Sequence, residues 1–101
     1  MKRQRPPKIE NLLDVIKRLV EEGFFRFSKH AITRRKERSI SPQDAIHILK
    51  NGFHEKRKTI FDEPNQTWKY AIRGKTKDNQ EVRVIVAIVE EIIIITIIKL
   101  D

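Results

Sequence analysis

The chain reads as a single α+β domain, with two to three helices in its first half and four strands in its second. Three observations predict this. Apolar residues recur at helical spacing as far as Leu49, the period turns strand-like from Phe53, and Glu63-Pro64-Asn65 and Lys77-Asp78-Asn79 cut the second half into strand-length pieces.

Taken in order, residues 1–8 hold four basic residues and two prolines with Met1 as the only clear apolar group, which marks a flexible basic arm ahead of a single folded domain at 9–101. Ile9, Leu12, Leu13, Ile16, Leu19 and Val20 form one helical stripe, and Gly23 supplies its stop. Phe24, Phe25 and Phe27 make an aromatic connector. Ser28 is suited to N-cap a second helix running to about Ser39, with Ala31, Ile32 and Arg35 on one side and His30, Arg34 and Arg38 on another. Ser41 and Pro42 open a third helix, with Ile40 able to staple onto Ala45. Ile46, Ile48 and Leu49 form its buried side, and Asn51-Gly52 end it.

Strands follow at about 53–61, 67–74, 80–89 and 92–100. The third is apolar on both faces in its middle, with Val82, Val84, Val86 and Ile88 on one and Ile85, Ala87 and Val89 on the other. It belongs at the centre of the sheet or under a second chain. The fourth, almost pure isoleucine, is too hydrophobic for an open edge. It is therefore interior, or it pairs with a partner through Ile92 to Ile98.

A chain of 101 residues buries one modest core, so any site is shallow or borrowed from a face or edge. Its 22 Lys and Arg against 14 Asp and Glu give a net charge of +8, a field that attracts polyanions. The absence of cysteine excludes a disulfide framework and thiolate metal sites, and leans toward a cytoplasmic location. Pro6 and Pro7 stand where a signal peptide needs an apolar stretch. No apolar run approaches membrane-spanning length, which indicates a soluble protein with no membrane partner.

RNA cleavage without a metal needs a proton-transfer group and cations to stabilise the developing phosphorane. His30, Arg34 and Arg38, each four residues from the next, fall within an arc of ~80° on a helix and can address one phosphate. The alternative is a solvated basic helix face with an incidental histidine. Arg73 and Lys69 share a face of the second strand, with Arg83 and Lys99 as neighbours across the sheet. Trp68 and Tyr70 could stack a base there, although their alternation with Ile72 fits a buried face better. Lys56, Arg57 and Lys58, with Lys2, Arg3, Arg5 and Lys8 of the arm, are generic phosphate-contact groups or simply surface charge. His30, His47 and His54 lack metal-ligand spacing, and no phosphate-cradling glycine loop is present, so no metal and no cofactor are expected.

The run Phe27-Ser28-Lys29-His30-Ala31-Ile32-Thr33-Arg34-Arg35-Lys36-Glu37-Arg38-Ser39-Ile40-Ser41 resembles the opening motif of a family catalogued as domain of unknown function 4258, roughly F-S-x-H-A-x-x-R-x-x-x-R-x-I-S. The resemblance covers about residues 24–100. It departs at Ser39, where glycine is common, at Glu90-Glu91, which replaces an Asp/Gly turn, and at Ile97-Ile98-Lys99, where an active member would carry a polar or aromatic residue. It implies a fold similar to the RelE, barnase and colicin group of small ribonuclease toxins, in which two to three amino-terminal helices pack on one face of a four-stranded antiparallel β-meander. It also implies that His30, Arg34 and Arg38 are recurrent polar positions, with Arg73 as a fourth member.

The leading expectation is a toxin-like, metal-independent endoribonuclease in which His30 moves the proton and Arg34, Arg38 and Arg73 hold the phosphate. Two alternatives stand beside it: a non-catalytic RNA-binding module using the same cations, and an interaction protein that dimerises or meets an acidic antitoxin-like partner.

Overall fold

A computed structural model describes residues 4–100. Helix α1 spans Leu12–Glu21, α2 Lys29–Glu37 and α3 Pro42–Asn51. The α1 stripe buries Leu12, Ile16, Leu19 and Val20, as its spacing requires. The helix stops in a Schellman turn: Gly23 N–H donates to the Val20 carbonyl, Phe24 N–H to the Leu19 carbonyl, and Gly23 takes φ +81°. Helix α2 ends in the same way, with Ser39 N–H on the Lys36 carbonyl and Ile40 N–H on the Arg35 carbonyl, but here Ser39 adopts φ 54°. In α3, Ser41 and Asp44 form a reciprocal capping box, Pro42 opens the helix, and Ile40 and Ala45 are both buried at its start.

Six strands form the sheet: β1 Phe25–Phe27, β2 Phe53–His54, β3 Ile60–Asp62, β4 Thr67–Lys75, β5 Glu81–Val89 and β6 Glu91–Lys99. Their order is β1-β6-β5-β4-β2, with β3 pairing the first part of β4 beside β2. The last three strands are the expected antiparallel meander, and β5 is central.

Two expectations about the sheet are corrected. The aromatic connector is a strand, β1, lying parallel to β6 with Phe25 opposite Ile92 and Phe27 opposite Ile94. Three residues carry no readable period, and their partner lies some 67 positions away, so this pairing leaves no local trace. It gives the first part of the isoleucine strand, Ile92 to Ile94, a neighbour on that side within the chain. The single strand expected at 53–61 is broken by a 3₁₀ turn at Lys56–Lys58. Three consecutive cations cannot alternate between a buried and an exposed face; all three are exposed instead. Thr59 closes the turn, its buried hydroxyl accepting from Ala71 N–H at 3.2 Å in place of a backbone carbonyl.

A bulge between Ile85 and Val86 shifts the β5–β6 register, so Ile85 faces Thr96 while Val86 faces Ile94. Ile94 and Ile97, three residues apart, therefore both reach the core. The extra residue, Ile95, is used by α2: Ser28 Oγ accepts from Ala31 N–H at 3.0 Å as N-cap and donates to the Ile95 carbonyl at 3.0 Å, tying the helix to the strand.

One cluster joins Leu12, Ile16, Leu19, Ala31, Ile40, Ile48 and Leu49 of the helical layer to Tyr70, Ile72, Val82, Val84, Val86, Ile92, Ile94 and Ile97 of the sheet. All three helices thus pack on one face. The alternate residues, among them Lys69, Arg73, Arg83, Ile85, Ala87 and Ile93, line the opposite face. The fold is a mixed α+β arrangement of three helices on a six-stranded sheet. Among the described residues no helix is long and apolar enough to cross a membrane.

Candidate nucleic-acid interface

The helical spacing brings His30, Arg34 and Arg38 together on the exposed side of α2. Arg34 Nε lies 3.4 Å from His30 Nε2, and Arg34 Nη1 is 3.0 Å from Glu37 Oε2. Arg38 Nη1 is 3.6 Å from that same oxygen. Glu37 therefore partly neutralises the two arginines expected to hold a phosphate.

Arg73 is not with them. Helix α2 packs on β6 and β1, whereas Arg73 lies on β4, two strands further across the sheet from β6. It also points the other way. Tyr70 and Ile72 enter the core beneath the helices, so by alternation Arg73 emerges on the open face. There it stands directly opposite Arg83. Like charges so placed repel, and carboxylates separate them. Glu55 takes Arg83 Nε at 2.7 Å on one oxygen and Arg83 Nη2 at 3.0 Å on the other, a two-point fork, while Arg73 Nη1 donates at 3.3 Å. Glu81 takes Arg73 Nη2 at 3.1 Å. The Arg83 hydrogen bond, against the opposing effect of burial, holds the Glu55 carboxyl below its ordinary pKa. The Glu81 contact likewise raises that of Arg73. Arg73 Nε is buried with no partner among the described residues.

The 3₁₀ turn completes a cleft around this pair. Phe53, His54, Glu55, Lys56, Arg57, Lys58, Arg73 and Arg83 line a cavity of about 430 Å³. Lys56, Arg57 and Lys58 are exposed and form no ion pair among the described residues. Five cations against one carboxylate thus line one concavity, and three of the five are uncompensated.

Of the other expected contacts, Lys69 is on the open face and pairs with Asp62 at 3.5 Å. Lys99 stands opposite Val82, a core residue, and so lies on the helical side of the sheet rather than beside Arg83. Lys2 and Arg3 lie outside the described residues. The rest of the arm runs along the β3–β4 corner. Arg5 bonds Glu63 at 2.9 Å and lies over the Phe61 ring at 4.9 Å, Lys8 lies over the Trp68 ring at 4.8 Å, and Trp68 Nε1 donates to the Pro6 carbonyl at 2.7 Å. Trp68 packs against the core and Tyr70 is buried, its hydroxyl accepting from Ile9 N–H at 3.0 Å.

The three histidines lie on three different elements: His30 on α2, His47 on α3 and His54 on β2. His54 stacks edge-on against Tyr70 and sits 2.8 Å from the Thr59 hydroxyl. Burial, then Lys56 and Lys8, hold its imidazole below the ordinary pKa, and its contact with Thr59 braces the base of the basic turn. Sequence reasoning missed the role of Glu55. The only available signal was an isolated acid beside three bases, which by itself reads as surface charge.

A family model described as Domain of unknown function (DUF4258) matches residues 27–99. No curated protein and no solved structure matches the chain.

Proposed function

This chain belongs to the DUF4258 family, and we propose that it binds RNA through the cleft formed by Lys56, Arg57, Lys58, Arg73 and Arg83. The single observation that carries this reading is the meeting, in one concavity, of two half-buried arginines with three exposed cations on the turn beside them that form no ion pair among the described residues. Such a surface neutralises a run of phosphates and releases their counterions, so affinity falls steeply with salt. The net charge of +8 supplies the longer-range attraction.

Cleavage is the second reading, favoured by the 3.4 Å approach of Arg34 to His30 on α2. In it His30 moves the 2′-hydroxyl proton while Arg34 and Arg38 face the phosphate, as in a RelE- or barnase-like toxin. Helices gathered on one face of a largely antiparallel sheet support that likeness. The separation of Arg73 from α2 and the shared carboxylate of Glu37 favour binding over chemistry. An acidic antitoxin-like protein would compete for the same cations.

One experiment addresses both readings. A labelled mixed-sequence RNA is titrated in EDTA at several salt concentrations with the wild type, with the Lys56→Ala/Arg57→Ala/Lys58→Ala variant and with His30→Ala. The binding reading expects intact RNA, affinity falling with salt, and a triple variant with a shallower salt slope, by about two to three charges. Wild-type binding that the triple substitution leaves unchanged would contradict it. RNA cut by the wild type but not by His30→Ala would establish the second reading.

A further inference from the structure

We propose that Arg73 and Arg83 form a phosphodiester subsite occupied in the free protein by the Glu55 carboxylate, which RNA must displace. The inference rests on the RNA-binding reading of the cleft and assigns its innermost contact. Glu55 presents two oxygens to the Nε and Nη2 of Arg83, the two-point geometry that a phosphodiester's two non-bridging oxygens would occupy. Arg73 reaches the same carboxylate from the facing strand at 3.3 Å. The two arginines are a directly opposed pair, an arrangement that needs an anion between them.

The position of Glu55 makes displacement possible. It follows the two-residue strand β2 and immediately precedes the 3₁₀ turn, its backbone N–H held by the Ala71 carbonyl at 2.8 Å, so displacement needs only its side chain to swing away. Its side chain is 15% exposed and that of Arg83 13%, so the fork is reachable from the cleft. The residues that follow it are Lys56, Arg57 and Lys58. A phosphate drawn to these exposed cations arrives next to the carboxylate it would replace. Glu81 stays with Arg73 from the other side and keeps that guanidinium oriented.

The consequence runs against the simplest expectation for an ion-pairing residue, because removing the carboxylate's charge should improve the site. Glu55→Gln keeps the side chain's size and one acceptor, and should bind RNA about tenfold more tightly at fixed salt, a change of about 1.4 kcal/mol. Removing any acid favours a polyanion to some extent, so Glu22→Gln, at the exposed end of α1, serves as the comparison and should change affinity less than about twofold. In Glu55→Gln/Arg83→Gln the gain should vanish, since the subsite itself is gone. Circular dichroism and thermal melting establish that each variant is folded before titration.

If the wild type binds RNA and loses it in the triple lysine-arginine variant, yet Glu55→Gln binds equally or more weakly, Glu55 is a structural brace and the proposal is wrong while the RNA-binding reading stands. A gain no larger than that of Glu22→Gln overturns it too. Wild-type protein that binds no RNA removes the reading on which the proposal rests.

Discussion

At the scale of single residues, two like-built helix ends carry different residues. Gly23 and Ser39 occupy the same Schellman position after α1 and α2, and both adopt positive φ. Glycine reaches that region without the crowding of a Cβ against the following carbonyl, whereas serine does not. Glu90, at φ 64° in the β5–β6 turn, is in the same condition. These are two of the positions at which the sequence departs from the motif it resembles, so the departures mark local strain. Ser39→Gly and Glu90→Gly should each raise the free energy of unfolding by about 0.5–1 kcal/mol, the relief of the left-handed conformation less the added freedom of the unfolded chain. Chemical denaturation checks this, and a loss of stability in both would show that serine and glutamate make compensating contacts. The same scale explains what was legible at the site. His30, Arg34 and Arg38 could be read from spacing because a helix imposes its period locally. The pairing of Arg73 with Arg83 depended on register between two strands, and the carboxylate between them comes from a third segment.

At the scale of elements, capping chemistry made the helices legible. Ser28 and Ser41 cap α2 and α3 as their positions before helical runs require, and Gly23 ends α1. Strands were legible where they are long: β4, β5 and β6 have nine residues each. The three-residue β1 was not legible, because it exists through a partner distant in sequence, and β2 and β3 were read as one strand at 53–61 because no glycine or proline marks the turn between them. The junction between α3 and β2 is the single residue Gly52. A Cβ added at Gly52 would lie 2.5 Å from the Arg73 carbonyl oxygen and 2.6 Å from that of Ile48, both backbone atoms that cannot swing aside. Gly52 is therefore required by close approach, its φ of −80° being ordinary for any residue. Gly52→Ala should destabilise the protein by about 1–3 kcal/mol. Because the obstruction falls on the Arg73 carbonyl, it should also weaken RNA binding at temperatures where the variant is fully folded. A variant of wild-type stability would mean that α3 and β4 can separate without cost.

At the scale of the whole molecule, the charge is unevenly used. On the open face of the sheet Lys69 meets Asp62, Arg83 meets Glu55, and Arg73 meets Glu55 and Glu81, while the three cations of the 3₁₀ turn at its edge have no ion-pair partner among the described residues. Composition alone announced an attraction for polyanions. It could not distribute that attraction, because a net charge has no direction until the fold assigns each cation a neighbour. The basic α2 face and the cleft are thereby separated by the width of the sheet between β6 and β4. The measurement that tests the central claim most directly is the titration of ¹⁵N-labelled protein with a short single-stranded RNA, following every backbone amide. The largest shift changes are expected at Phe53–Lys58 and around Arg73 and Arg83, with those of His30–Arg38 small. Changes concentrated on α2, with the cleft unmoved, would contradict that claim and return the phosphate site to the helix.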